Sequence, residues 1–158
     1  MAQSATVHAS AVLVGARAVL IRGPSGAGKS RLALALIEAA RTGTLRFARL
    51  VGDDRVHLEP ANGRLLVRPA EALAGLIEIR GVGIRRLDHE PSAVVGLLVD
   101  LAAADAERLP QTERQHAVIA GISLPRLAIA AGEEPLPAVL ATLTSGGLEG
   151  AVLGLGLA

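Results

Sequence analysis

The chain has 158 residues and a formal net charge of +1, so it suits one domain and carries no strong field toward nucleic acid or an anionic membrane. It contains one Phe and no Trp, Tyr or Cys, which excludes disulfides, thiolate metal sites and base stacking on aromatic rings. No apolar run reaches the roughly 18 residues that span a bilayer, and we expect no signal peptide. These features predict one cytoplasmic domain over residues 1–158, with an aliphatic core that suits a parallel sheet covered by helices.

The N-terminal part of the sequence has the order strand, glycine-rich loop, helix. Thr6 to Val14 and Ala16 to Arg22 predict two short strands that turn at Gly15. After the glycine-rich loop, strong helix formers from Arg31 to Glu38 predict a helix that ends near Gly43. The loop therefore leads directly into the first turn of a helix.

The middle of the sequence predicts further strands and a hairpin. Leu45 to Val51 resembles the next strand, and Val56 to Glu59 and Arg64 to Arg68 flank an Asn-Gly pair, which is a strong hairpin signal. Ala70 to Ile77 predicts a helix. Ala93 to Val99 is an unbroken aliphatic strand.

The C-terminal part gives weaker patterns. Beyond Asp105, polar segments alternate with short apolar ones; Pro135 to Leu143 predicts a helix, and Gly146 to Ala158 is a glycine-interrupted tail. No internal repeat or low-complexity linker divides the chain. The sequence therefore predicts a single domain.

The glycine-rich loop fits the pattern G-x-x-x-x-G-K-[ST]. Its glycines let successive backbone amides curl around phosphate oxygens, and the following helix directs its positive end at the same anion. Lys29 is suited to the β- and γ-phosphates, and the Ser30 hydroxyl is suited to Mg²⁺. A glycine turn that merely caps a helix is the alternative, but the flanking strand and helix favour nucleotide. The predicted ATP-binding residues are Gly23, Pro24, Ser25, Gly26, Ala27, Gly28, Lys29 and Ser30.

A phosphate-binding loop needs a carboxylate for the metal or for the attacking nucleophile, and two candidates compete. Asp100 ends an aliphatic strand, the pattern usual for magnesium coordination. Asp53 and Asp54 follow the strand after the loop's helix, where α/β sheets usually place ligand chemistry. A helix cap at Asp100 and a polar turn at Asp53 and Asp54 are the structural alternatives. Spacing alone leaves the choice open.

From His8 through Ile84 the sequence resembles the catalytic domain of the HPr kinase/phosphorylase family. Beside the loop, the resemblance lies in His8, in the segment Val51 to Val56, and in the Glu-Ile-Arg-Gly-Val-Gly-Ile segment from Glu78 to Ile84. It implies an α/β P-loop kinase domain of the type shared by HPr kinase and phosphoenolpyruvate carboxykinase. Members of the family usually carry an N-terminal domain before the catalytic one, so the resemblance implies a short form.

The resemblance also implies roles for individual residues. Asp54 would be the general acid/base that takes the proton from the substrate serine, and Glu78 would help to hold Mg²⁺. His8 would lie near the phosphates, and Arg108, before Leu109 and Pro110, is the best match for a functional arginine of the family. The implied catalytic residues are His8, Lys29, Asp54 and Arg108. The implied metal ligands are Ser30, Asp53 and Glu78.

One departure from the family concerns the reverse reaction. Members carry a basic Pro-Val-x-Pro-Gly-Arg loop for phosphate-dependent dephosphorylation, whereas the corresponding stretch here, residues 127–134, ends in Glu133 and Glu134. Acidic side chains repel free phosphate, although Arg126 lies close in sequence. We therefore expect mainly kinase activity with weak phosphorylase activity.

The resulting interpretation is an ATP- and Mg²⁺-dependent protein-serine kinase. Its substrate would be an HPr-like phosphocarrier protein of the phosphotransferase system, and resemblance implies a homo-oligomer, a hexamer in full-length relatives. Two other classes stay open. A non-catalytic ATP sensor would need the loop but no base at Asp54. A small-molecule kinase would normally need an arginine-bearing lid, and the adjacent pair Arg85 and Arg86 is the candidate for it.

Overall fold

The computed structural model of the chain describes residues 5–145, so the predicted tail from Gly146 lies outside the described residues. The strands are β1 (Thr6–Val14), β2 (Arg17–Arg22), β3 (Ala48–Gly52), β4 (Arg55–Ala61), β5 (Arg64–Pro69), β6 (Leu76–Ile79), β7 (Gly83–Arg86), β8 (Ala93–Asp100), β9 (His116–Ile119) and β10 (Ile122–Ala128). The α-helices are α1 (Lys29–Arg41) and α2 (Leu136–Thr144). Short 3₁₀ turns lie at Glu71–Leu73 and Thr112–Gln115.

Five strands close into a ring. The sheet runs β2-β1-β4-β5-β8, and β8 returns to pair with β2. The ring interior is filled by small and medium aliphatic side chains, with fully buried Ala9, Ala11 and Ala18 beside Leu20. A ring of so few strands leaves little internal room, which accounts for alanine at these positions. The aliphatic composition thus fits a narrow barrel interior.

A second core, which we call the helix-side core, lies between the outside of the ring and the helices. Alternate residues of β1 and β2, such as Val12, Val19 and Ile21, point out of the ring and pack with Leu32 and Leu36 of α1. Helix α2 packs on the same core. One face of β1, β2 and β8 therefore builds the ring interior, and the other face supports the glycine-rich loop and its helix.

The sheet is mixed, so the expectation of a parallel sheet covered by helices is wrong. Among the strands of residues 5–145, β8 pairs in parallel with β2 and with β10, and every other strand pair is antiparallel. Continuous aliphatic runs predicted strands buried on both faces. The same runs occur in a strand that has one face inside the ring and the other face under the helices.

The helix predicted from Ala70 to Ile77 is also wrong. One 3₁₀ turn forms at Glu71–Leu73, Gly75 then takes a φ of 75°, and β6 begins at Leu76. Ile77 is buried in the helix-side core. A left-handed residue interrupts any helix, and tertiary burial of the Leu-Ile-Glu-Ile segment overrides its local propensity.

The Asn-Gly hairpin is confirmed. Asn62 and Gly63 have φ values of 52° and 76° and join β4 to β5 in register from Ala61 with Arg64. Two consecutive positive φ angles are what a tight type I′ turn requires. The predicted C-terminal helix is likewise present, as α2.

An ion-pair network joins the carboxyl ends of the three parallel-paired strands. Asp100 of β8 accepts two hydrogen bonds from Arg22 of β2, at 2.8 and 2.9 Å, and one from Arg126 of β10 at 2.6 Å. Arg126 also donates to both carboxylate oxygens of Asp105, at 2.8 and 2.9 Å. Burial opposes the charge of Asp100, but the two arginines outweigh it and lower its pKa. The network fixes β2 at the residue before the glycine-rich loop.

No helix among residues 5–145 is long and apolar enough to cross a membrane.

We predict that Asp100→Asn lowers the free energy of unfolding at pH 7 by about 2–3 kcal/mol, since Arg22 loses its carboxylate partner in a partly buried site. Because the folded-state pKa of Asp100 is lowered, its stabilisation is full above the unfolded pKa of about 3.9 and is lost as the pH falls through the folded value. The difference in unfolding free energy between the wild type and the Asp100→Asn variant should therefore become smaller below about pH 4. Urea titrations at several pH values measure it.

The matched control for this prediction is Glu38→Gln, which removes an exposed i,i+3 ion pair with Arg41. It should change stability by less than about 0.5 kcal/mol. Equal effects of the two substitutions, or a difference that does not depend on pH, would contradict the stabilising role of Asp100.

Candidate active site

The glycine-rich loop connects β2 to the first turn of α1. Helix α1 begins at Lys29, and Gly28, its N-cap, has a φ of 100°, a conformation that residues with a Cβ rarely adopt. The Lys29 ammonium donates to the carbonyl oxygens of Gly23 at 2.8 Å and Pro24 at 3.2 Å. The cation is thus held over the loop, at the positive end of a helix of 13 residues.

Asp53 is the central polar group beneath this loop. Its carboxylate is buried and accepts hydrogen bonds from the Ser10 hydroxyl at 2.6 Å and from the Ser30 hydroxyl at 2.7 and 2.8 Å. The backbone N–H of Glu78 donates to it at 3.2 Å. One carboxylate therefore joins β1, the start of α1 and β6. Ser30, Asp53 and Glu78 are the three residues named as metal ligands from the sequence, and they meet here.

The backbone on either side of Asp53 is tightly constrained. A Cβ at Gly52 would lie 2.8 Å from Cγ1 of Val56, so only glycine fits the preceding position without a shift. Asp54 has a φ of 66°, and the Arg55 N–H donates to the Asp53 carbonyl at 2.7 Å across it. A left-handed φ inside an i to i+2 turn is strained and often marks a functional residue. The turn directs Asp53 inward and leaves Asp54 exposed.

A cleft of about 730 Å³ lies on one side of the loop. It is lined by residues 25–31, Leu34, Asp54, residues 78–81 and Gly83. The cleft thus brings together Lys29, Ser30, Asp54 and Glu78, which the sequence places in three separate segments. A cation, a hydroxyl and two exposed carboxylates line one open space. Such a set can bind a phosphorylated ligand and accept a proton from a hydroxyl beside it.

A second cleft of about 470 Å³ lies on the other side of the loop. Its lining is mainly aliphatic, with Leu32, Leu101 and Ile129, and its rim carries Glu133 and Glu134. Arg31 forms an exposed ion pair with Glu134 at 2.8 Å. The two clefts share residues 25–28 and Arg31, so a single ligand seated on the loop can reach both.

His8 lies beside Asp54 at the mouth of the site. The His8 Nδ1 atom is 3.8 Å from Oδ1 of Asp54, and both side chains are more than half exposed. The two residues are brought together because β1 pairs with β4 in a register that sets His8 against Arg55, the residue after Asp54. The imidazole is in reach of the carboxylate but does not line either cleft.

Asp100 and Arg108 are not brought to the loop. Asp100, the competing metal candidate, lines neither cleft, and its carboxylate is occupied by Arg22 and Arg126. Arg108 is exposed and also lines neither cleft. The structure thus favours Asp53 and Asp54 over Asp100 and gives Arg108 no contact with the site.

Sequence reasoning missed Ser10 and Arg80. Ser10 is fully buried in β1 and bonds to Asp53, and its signal is a lone hydroxyl inside the apolar run from Ala9 to Val14. Arg80 lines the larger cleft beside Glu78. Its signal was already present, since it lies within the Glu-Ile-Arg-Gly segment.

The residues fit Mg²⁺ by their chemistry. Ser30, Asp53 and Glu78 offer hydroxyl and carboxylate oxygens, the hard donors that Mg²⁺ prefers. No group of three or more His, Cys, Asp or Glu side chains that could hold a metal occurs among residues 5–145.

Comparisons with known proteins give a consistent result. The family model described as "HPr Serine kinase C-terminal domain" matches residues 1–134. The HPr kinase/phosphorylase of Streptococcus thermophilus (strain ATCC BAA-491 / LMD-9) is 45% identical over 85 residues, which cover 53% of this chain and 25% of that protein. The HPr kinase/phosphorylase of Clostridium perfringens (strain SM101 / Type A) is 40% identical over 97 residues, 61% of this chain and 28% of that protein. The matched stretch is thus about a quarter of these relatives' length.

The fold is similar to that of a solved relative. The HPr(Ser) kinase/phosphatase from Coxiella burnetii superposes with a TM-score of 0.68 at 24% identity, over 87% of each chain. This likeness supports the α/β architecture described above. Because the family model covers most of the sequence, including the glycine-rich loop, Asp53, Asp54 and Glu78, the chain belongs to the HPr serine kinase C-terminal domain family.

Proposed function

We propose that this domain is an ATP-dependent protein-serine kinase whose substrate is an HPr-like phosphocarrier protein of the phosphotransferase system. The observation that carries the proposal is the cleft shared by Lys29, Ser30, Asp54 and Glu78. Family membership supports the same chemistry, since the relatives are named HPr kinase/phosphorylase. We further propose that the domain acts in the cytoplasm as a homo-oligomer, by analogy with the family.

ATP would bind with its phosphates on the glycine-rich loop, residues 23–30. Backbone amides of the loop and the N-terminus of α1 stabilise the phosphate charge. Lys29 exchanges the carbonyl oxygens of Gly23 and Pro24 for phosphate oxygens, which are stronger, charged acceptors. The aliphatic cleft beside Leu32 and Ile129 then suits the less polar part of the nucleotide.

Mg²⁺ would be held by Ser30, Asp53 and Glu78. When bound, it neutralises negative charge on the phosphoryl group that is transferred. Asp53 would be oriented for this by the hydrogen bonds that it accepts from Ser10 and from the Glu78 N–H. Glu78 is exposed and lines the larger cleft, next to its backbone contact with Asp53.

Asp54 would take the proton from the attacking serine hydroxyl. Its carboxylate is exposed in the cleft, and its backbone is fixed by the turn that it occupies. A positioned carboxylate assists proton loss from a weak hydroxyl nucleophile, and the proton ends on an Asp54 oxygen. His8 lies 3.8 Å from Asp54 and would be within reach of the substrate serine or the phosphates. Arg108 stays a prediction from resemblance.

We predict that Lys29→Ala weakens ATP binding by about 10- to 100-fold, the range expected for losing a hydrogen bond to a charged group worth about 1.5–3 kcal/mol. Equilibrium binding of ATP with Mg²⁺ measures it without relying on turnover. Arg41→Ala is the control, since Arg41 is an exposed cation at the far end of the same helix. Equal affinity in the Lys29 variant and wild type would contradict the proposed nucleotide site.

We predict that Asp54→Asn retains ATP binding and lowers phosphorylation of the carrier serine by about 10²-fold or more, the usual scale for a general base. Asp100→Asn should have much less effect at a temperature where both variants are folded, because Asp100 lines neither cleft. Transfer of label from ATP to the purified carrier measures both. A larger loss in the Asp100 variant would reverse the assignment, and wild-type binding without transfer would favour the ATP sensor.

We also propose that phosphate-dependent dephosphorylation is weak. In that reaction, inorganic phosphate attacks phosphoserine, the serine oxygen leaves, and pyrophosphate forms. The nearby cation Arg126 is bound to Asp105 and Asp100, whose hydrogen bonds raise its pKa, so it is not free for phosphate. At the rim of the smaller cleft, Glu133 adds like charge, and Glu134 occupies the cation Arg31 through an ion pair.

We predict that the reverse rate with millimolar phosphate is at least about tenfold below the forward rate, since a like-charge contact costs about 1–4 kcal/mol. Pyrophosphate release from seryl-phosphorylated carrier measures it. Glu133→Gln with Glu134→Gln should raise the reverse rate, whereas Glu38→Gln, an exposed change on α1 at a residue that lines neither cleft, should not. Equal forward and reverse rates in the wild type would show that the acidic rim is not the determinant.

A further inference from the structure

The β6–β7 hairpin stands apart from the main sheet. Within the described part of the chain its strands pair with each other alone, in register from Leu76 with Arg86 to Ile79 with Gly83. Ile77 is buried in the helix-side core and anchors one face of the hairpin. Because side chains alternate along a strand, Glu78 and its cross-strand partner Ile84 share the opposite face. That face points away from the core.

The hairpin carries exposed aliphatic side chains. Val82, at the turn, is 50% exposed and Ile84 is 65% exposed, and all four residues of β7 are exposed. Single apolar residues on a surface are ordinary, but these two lie on one short hairpin. Glu78, on the same face as Ile84, lines the larger cleft. The apolar surface is therefore continuous with the catalytic side of the loop.

The hairpin also carries unneutralised positive charge. Arg80 and Arg86 form no ion pair with another residue of the described range 5–145, and Arg85 donates to the Ile84 carbonyl at 3.1 Å. Exposed arginines next to aliphatic side chains suit a protein surface in which an apolar patch is bordered by carboxylates. We define the hairpin platform as Ile84 and Arg86, on the outward face of β7, together with Arg80 and Val82 in the adjoining turn.

We propose that the hairpin platform is the docking surface for the protein substrate, and that it recognises an apolar patch bordered by acidic groups beside the serine to be phosphorylated. This inference rests on the proposed kinase function. A serine whose hydroxyl reaches Asp54 brings its neighbouring residues to the mouth of the cleft, and the hairpin forms that mouth through Glu78, Arg80 and Gly83. Contacts remote from the reacting atoms select a protein substrate over a free hydroxyl compound.

The test is the double variant Val82→Asp with Ile84→Asp, both at exposed positions where the fold does not need the side chain. The KM for purified HPr should rise about tenfold or more, the effect expected for placing charge in the centre of a docking surface. The affinity for ATP should not change. Val118→Asp is the matched control, because Val118 is 69% exposed on β9 and lines neither cleft.

The contribution of the arginine charge to docking is measured separately. Arg86→Ser should weaken the dependence of the KM for HPr on ionic strength, since salt screens exposed charge pairs. An unchanged KM in the Val82 and Ile84 variant would overturn the platform. Dissociation of an oligomer by that variant, with the KM unchanged, would assign the face to a second copy of the chain and would also overturn it.

Failure of the proposed function is a separate result. If the wild type binds ATP but transfers no label to HPr, the kinase proposal fails. Sedimentation of HPr with the wild type and with the double variant then decides the platform: equal binding, or no binding to the wild type, overturns it. Binding that is lost only in the double variant would support a docking surface on a protein that lacks transfer activity.

Discussion

The buried carboxylate of Asp53 holds the site together. It accepts the hydroxyl hydrogens of Ser10 and Ser30 and the backbone N–H of Glu78, and so joins β1, the first turn of α1 and β6. A buried charge needs several hydrogen bonds to be tolerated, so each donor is held in place by the cost of leaving the carboxylate unsatisfied. The glycine-rich loop, the exposed Asp54 and the hairpin all take their positions from this group.

A second acidic centre, Asp100, lies at the carboxyl end of β8 and has a different task. Asp100 carries the sequence pattern of a metal ligand, yet Arg22 and Arg126 occupy its oxygens. Asp53 meets hydroxyl and amide donors, which can share a carboxylate with a cation, whereas Asp100 meets two permanent cations. The partners of each carboxylate, rather than its place at a strand end, separate the proposed functional site from the structural network.

Much of this was predictable from the sequence because it depends on local patterns. The loop and its helix follow from glycine spacing and helix formers, and the β4–β5 hairpin follows from Asn62 and Gly63. Pairings between distant segments were not predictable. Nothing local indicates that β8 returns to β2 and closes a ring, or that Arg22 and Arg126 converge on Asp100. Burial of Ile77 likewise turned a helical pattern into a strand.

Lys29 is the only lysine in the sequence. Its ammonium group lies over the loop, hydrogen-bonded to the carbonyl oxygens of Gly23 and Pro24. Reagents that acylate amines therefore have one side-chain target in this sequence, and that target lies in the proposed ATP site. The extent of acylation reports on how often the Lys29 side chain leaves its two carbonyl acceptors. A chemical label on one nitrogen can thus follow the loop itself, without any added chromophore and without a substrate that turns over.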